Sequence, residues 1–217
     1  MLKRCLIFSA ITAAALSAPL TASAAVVTVW DTFDGTPIGS GMTIGSDSGF
    51  FQGVKFVPTA TGYFSGFDFG AYQPEGTTDW QLTLHADAAG IPGAVLETLP
   101  PIDVPPGSTV GVYTGTANVT TLLSSGVSYW LMAYLPTGEF GSWSRIESGT
   151  GTRAFCAASD CPSYTVLTDE FAGALEVRVD TSPVPLPAAA WLLLSGIGGL
   201  AAVARRRRGA PGLARHL

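Results

Sequence analysis

The sequence predicts an all-β domain of sandwich or barrel type lying between two targeting segments. Three observations lead there. Apolar and polar residues alternate in short runs: Trp80, Leu82 and Leu84 against Gln81, Thr83 and His85, and Leu175, Val177 and Val179 against Glu176, Arg178 and Asp180. That period of two belongs to a half-buried strand. The 26 glycines and 15 prolines punctuate the chain as turns require and as a helical bundle would not tolerate. Between Ala25 and Asp180 no stretch sustains a helical apolar pattern over three turns.

The first segment reads as a secretory signal, residues 1–24. Lys3 and Arg4 form a positive start, and an apolar run extends from Cys5 to about Leu16. Pro19 breaks it, and Ala22-Ser23-Ala24 supplies the small-x-small pattern that signal peptidase cleaves, placing the new N-terminus at Ala25. The run is short of the roughly 20 residues that a spanning helix needs. Cys5 sits inside the signal, away from a cleavage site, so a lipid-anchored start is not expected.

The exported domain is expected over residues 25–182. Its further strand segments are Val54-Phe56-Val57 ending at Pro58, the aromatic run Tyr63, Phe67 and Phe69 punctuated by Gly62 and Gly66, and Val127–Tyr134 after Gly126. Phe56, Phe64, Phe67, Leu82, Leu84, Trp130, Leu175 and Val177 are the expected core. All 16 Asp and Glu of the chain fall in this domain, against 4 cationic residues, Lys55, Arg145, Arg153 and Arg178. A net charge near −12 repels nucleic-acid phosphates and anionic lipid, so no nucleic-acid partner is expected. Cys156 and Cys161 are the cysteines left after signal removal. An even pair in an oxidising compartment predicts one disulfide across a short loop, with a stabilisation on the order of 2 kcal/mol.

The C-terminal segment carries the clearest signal. Ser182-Pro183-Val184-Pro185-Leu186-Pro187 is stiff and extended, because its prolines exclude helix. Ala188–Ala204 then runs 17 residues without a charge, near the lower limit for a transmembrane helix. Arg205, Arg206, Arg207 and Arg208 follow at once and orient it, since positive flanks stay in the cytoplasm. The preceding domain then faces outward, and 209–217 form a cytoplasmic tail.

This order of Val184-Pro185-Leu186-Pro187-Ala188, apolar helix and arginine cluster resembles the PEP-CTERM sorting signal in its VPLPA form, over residues 183–208. The resemblance implies an exported substrate of an exosortase-type membrane protease, from a Gram-negative bacterium that makes extracellular polysaccharide. Leu186 stands where the commoner form has glutamate, which implies a variant sorting enzyme. Gly209–Leu217 extend past the point where the family usually stops.

A second resemblance lies inside the domain. Trp80–Asp87, followed by Gly90-Ile91-Pro92-Gly93 and Val95-Leu96, reads as strand, turn, strand. With Leu122–Leu131 it is similar to the bacterial choice-of-anchor surface domains, across about half of the domain. That likeness implies a jelly-roll-like β-sandwich and carries no catalytic residues with it.

Sites for chemistry are sparse. His85 is the sole histidine of the exported domain and is expected to hydrogen-bond or face solvent from the polar side of its strand. Gly45-Ser46-Asp47-Ser48-Gly49 lacks the strand–turn–helix context of a serine nucleophile. There is no phosphate loop and no HExxH pair. No two carboxylates are marked out for glycoside hydrolysis. No catalytic residue and no cofactor are expected. Asp31, Asp34 and Asp47, near glycine-rich turns, are calcium candidates. Trp143, between Gly141-Ser142 and Ser144-Arg145, is the tryptophan expected at the surface, where it could stack on a sugar ring. Asn118-Val119-Thr120 matches the glycosylation triplet. Three function classes follow: a structural or adhesive surface protein, a carbohydrate- or calcium-binding module, and a secreted hydrolase. The expected partners are signal peptidase, the exosortase-type protease, the inner membrane and extracellular polysaccharide.

Overall fold

The computed structural model of the chain describes residues 25–33, 38–45, 50–76, 79–136, 138–157, 161 and 163–181. Strands make up the regular structure there, with no helix among the described residues. In chain order they are β1 (Val26–Asp31), β2 (Ile38–Gly45), β3 (Phe50–Phe56), β4 (Gly62–Glu75), β5 (Asp79–Ala88), β6 (Ile91–Thr98) and β7 (Ile102–Asp103). β8 (Gly111–Thr116), β9 (Leu122–Leu123), β10 (Tyr129–Tyr134), β11 (Phe140–Ala157), β12 (Thr165–Gly173) and β13 (Leu175–Asp180) follow. The alternation read from sequence maps onto these strands. Leu175, Val177 and Val179 of β13 point inward, while Glu176, Arg178 and Asp180 point outward.

Pairing runs in the order β1-β13-β4-β11-β2-β3-β10-β5-β6, with β8 and β9 added to β4, β12 to β11 and β7 to β5. The long strand β11 spans two neighbourhoods. Its start, Phe140–Ser144, pairs with β2, and the same stretch meets the end of β4 through Ser142↔Tyr72 and Trp143↔Ala71. Its end, Arg153–Ala157, pairs with β3 and, at Phe155, with Thr165 of β12. One strand therefore belongs to a group around β4 and to a group around β3, β10 and β5.

These two groups face each other across the core. β4 and β5 share no ladder, yet Phe69 of β4 lies 5.5 Å from Trp80 of β5, ring centroid to centroid. Phe64, Phe67, Leu82, Leu84, Leu131, Trp143 and Leu175 are fully buried in this layer. All eight residues expected in the core are buried. Trp130 is the one that points the other way: with Met132 and Ala154 it forms a second cluster, covered by Phe51, Tyr164 and Val166. β10 is accordingly buried on both faces, which is why its sequence reads as a continuous apolar run rather than an alternation.

The β5–β6 hairpin shows how local chemistry sets register. Its two loop residues, Ala89 and Gly90, both have positive φ, 56° and 91°. Positive φ at both central positions is the type I′ turn, whose twist matches that of the strands it joins. Asp87 Oδ2 accepts the Gly90 N–H at 3.0 Å and holds the turn. Alanine tolerates the left-handed region poorly, whereas a Cβ at Gly90 would meet nothing within 4 Å. Ala89→Gly is therefore expected to stabilise the domain by about 1 kcal/mol, and Gly90→Ala to destabilise it by a similar amount. The midpoint of urea unfolding reads both, and equal midpoints would refute the turn assignment.

Candidate functional site

Three of the expected site groups lie outside the described residues: the sorting motif Val184–Ala188, the arginines Arg205–Arg208, and the calcium candidates Asp34 and Asp47. The signal peptide and the apolar segment 188–204 lie outside them as well. Among the described residues no helix is long and apolar enough to cross a membrane. Asp31 is described, and its Oδ1 accepts the Phe33 N–H at 2.7 Å, an Asx turn that closes the end of β1. No group of three or more His, Cys, Asp or Glu side chains that could hold a metal occurs among the described residues.

Trp143 is a correction. It was expected at the surface and is fully buried, with its indole N–H donating to the Ala174 carbonyl at 3.0 Å. The small residues around it are there for close packing. A Cβ on Gly141 would come within 2.6 Å of the Trp80 ring, and one on Gly173 within 3.3 Å of Trp143 Nε1. Trp80 and Trp130 are buried too, their N–H groups donating to Gln73 Oε1 at 2.7 Å and Asp87 Oδ1 at 2.8 Å. Each of these three indoles thus has an acceptor.

Cys156 and Cys161 form a disulfide, with Cα atoms 5.6 Å apart. It ties the end of β11 to the chain that leads into β12. Burial pushes the Tyr164 phenol pKa up from its ordinary value.

The densest polar arrangement is one that sequence reasoning missed. Asp87, at the end of β5, receives Gly90 N–H, Trp130 Nε1–H and the Lys55 ammonium, the last at 3.1 Å. Lys55 also lies over the Trp130 ring, 5.7 Å from its centroid. Register explains the meeting: Trp130 stands opposite both Lys55 of β3 and His85 of β5, so β10 carries its indole between them. Burial alone would raise the Asp87 pKa, but the Gly90, Trp130 and Lys55 donors outweigh it and hold the carboxyl below its ordinary value. A carboxylate kept ionised beside an ammonium is an anchor.

His85 completes the cluster. It is 7% exposed, with Nδ1 2.9 Å from the Gly93 carbonyl and Nε2 2.8 Å from Thr83 Oγ1. A carbonyl can only accept, so Nδ1 carries the proton and Nε2 accepts from the Thr83 hydroxyl. Both nitrogens of the neutral ring are satisfied, by the Gly93 carbonyl and the Thr83 hydroxyl.

A second polar group lies on the outer face of β13 and β4. Arg178 donates to both oxygens of Asp68, at 2.6 and 3.0 Å, and to Glu176 Oε1 at 3.2 Å, while Thr28 Oγ1 donates to Glu176. The Arg178 hydrogen bond holds the Asp68 pKa below its ordinary value, against burial and with help from Thr114. Its signal in the sequence was the lone arginine of an acidic strand, Glu176-Val177-Arg178-Val179-Asp180.

No protein-family model matches the sequence, and no curated protein matches it at a significant level.

Two expectations follow. Cys156 and Cys161 should resist alkylation by iodoacetamide until the protein is reduced; rapid labelling of both in the unreduced protein would remove the disulfide. The second concerns His85, whose pKa burial lowers from 6.5, against the Gly93 hydrogen bond. A depressed pKa means that the unfolded state binds the proton more readily. Stability is then complete above about pH 6.5 and falls as the pH drops below it. Thermal unfolding should show this loss as the pH falls below about 6.5, and His85→Gln should flatten the slope that begins there. An unchanged slope in the variant would sink the assignment.

Proposed function

We propose that the chain is an exported cell-surface or extracellular-matrix protein with a structural or adhesive role, sorted and processed by an exosortase-type enzyme. The observation that carries this reading is the ordered triplet of the Val184-Pro185-Leu186-Pro187-Ala188 motif, the uncharged run to Ala204 and the Arg205–Arg208 cluster. A membrane run would anchor the domain and arginines would orient it. Neither needs a stiff proline segment just outside the bilayer, whereas a protease reading an extended substrate at fixed height does.

Features of the folded part support the reading. The two ends of the domain meet, the Thr181 N–H donating to the Ala25 carbonyl at 3.0 Å. A disulfide suits an oxidising compartment. The polar clusters at Asp87 and Asp68 pair carboxylates with cations across neighbouring strands, which suits a structural role. We read the two facing strand groups as a jelly-roll-like sandwich, on the strength of the crossing strand β11 and the non-sequential pairing of β4 with β8, β9, β11 and β13.

The test is made in the native host. Replacing Pro185 and Pro187 by alanine should leave membrane insertion intact, because the apolar length is unchanged, yet block processing. Mass spectrometry should find the mature wild-type protein starting at Ala25 and lacking 188–217. If the mature protein still carries Arg205–Arg208 and the double variant behaves identically, residues 188–204 act as a plain anchor and the sorting reading fails.

A further inference from the structure

A groove of about 280 Å³ separates the Pro100–Asp103 run from the Tyr113–Thr116 stretch of β8. Its β8 wall is a strand edge. Gly70 N–H donates to Ala174 O on the β13 side of β4, whereas Ser65 O accepts Ala117 N–H on the β8 side. Backbone groups alternate sides along a strand, so Phe67 and Phe69 bond toward β8, where they oppose Gly115 and Tyr113. Thr114 and Thr116 therefore direct their N–H and C=O groups away from β4, along the groove.

The opposite wall closes no ladder with this edge, because Pro100 and Pro101 have no N–H and Ile102–Asp103 pair with β5 instead. The run is nevertheless held alongside β8 at one end. Asn118 N–H donates to Glu97 Oε1 at 2.6 Å, and Asn118 Nδ2 donates to Thr98 O at 3.2 Å. The result is a fixed gap rather than a collapsed one. Asp103, exposed at its rim, adds a carboxylate, and the half-buried Tyr113 packs against Phe69 beneath it.

We propose that this groove binds a neutral polyhydroxylated ring, a single sugar unit. Backbone N–H and C=O groups side by side suit a ligand whose hydroxyls both donate and accept, and the proline rings offer an apolar surface to its C–H groups. No lysine or arginine lines the groove, and the domain is strongly acidic, which disfavours anions. One carboxylate is too few for calcium, which takes about 6–8 oxygen ligands. The volume falls just under the roughly 300–1,000 Å³ of drug-sized sites, enough for one sugar ring. The proposal is independent of the sorting reading.

Saturation-transfer NMR on the full chain, in a non-glycosidic detergent, tests it with glucose, galactose, mannose and N-acetylglucosamine, each as free sugar and as methyl glycoside. Transfer to the ring C–H protons of at least one is expected. Retention by the methyl glycoside assigns the groove to glycan ends, and loss assigns it to free sugars. Thr116→Pro removes an outward N–H without touching a β4 bond, and Asp103→Ala removes the rim acceptor; each should weaken binding at least about fivefold. Because a proline could disturb β8, Pro101→Trp fills the gap from the exposed wall and should abolish transfer with an unchanged near-UV spectrum. No transfer from any of the sugars, or transfer untouched by Asp103→Ala and Pro101→Trp, overturns the proposal.

Discussion

Phe69 meets Trp80 at 5.5 Å and Trp143 at 5.7 Å, and through these contacts β4 holds both its ladder neighbour β11 and β5, which lies far from it in the pairing order. β4 and β5 share no backbone hydrogen bond, so their relative placement depends on side chains. The three rings are fully buried and mutually tilted or edge-on, the arrangement that aromatic quadrupoles favour. The two indoles add direction. Trp80 is tied to Gln73, back on β4 itself, and Trp143 to the Ala174 carbonyl at the entry to β13. Apolar packing alone would allow the two strand groups to slide over one another. An indole N–H that must find its acceptor limits that freedom, because a buried donor left unsatisfied costs about 1–3 kcal/mol.

The outer faces obey a different constraint. With 4 cationic side chains against 16 carboxylates between Ala25 and Asp180, cations are scarce, and their placement matters. Lys55 is set against Asp87, and Arg178 against Asp68 and Glu176. In both clusters the carboxylate also receives uncharged donors, from Gly90 and Trp130 in one and Thr114 in the other. Partly exposed ion pairs taken singly are worth little, about 0–1 kcal/mol. Here the pair does a second job. Asp87 joins the β5–β6 turn, the β10 indole and the β3 lysine, so one side chain ties a turn to two neighbouring strands.

How much of this was legible in the sequence depends on the range of the signal. Strand identity was legible because alternation is local: Trp80–His85 and Leu175–Asp180 show their two faces without reference to anything else. Trp143 was misread for the same reason. Its neighbours Gly141, Ser142 and Ser144 look like a loop when read locally, but small residues are also what lets other side chains approach a strand closely. Gly141 leaves the room that the Trp80 ring occupies. The distinction lies in residues more than sixty positions away. The Asp87 cluster was hidden likewise, since Lys55, Asp87 and Trp130 meet through the register of three strands rather than through spacing.

The crossing of β11 and the proline run before β8 address a shared difficulty of sandwich-like folds, the open edge. A strand edge presents unpaired N–H and C=O groups and invites pairing with another chain. β6 carries Pro92 and irregular register against β5, and β1 has a break in register between Thr28 and Trp30. β8 has neither device: its register with β4 is unbroken and it contains no charge and no proline. Its shield is the Pro100–Asp103 run, held near it by Asn118. A shield that could pair would simply become another strand with an edge of its own. Pro100 and Pro101 have no N–H to offer, and Ile102–Asp103 are turned to β5, so the β8 backbone groups face a gap. Edge protection and a polar groove are, on this reading, two consequences of one short sequence.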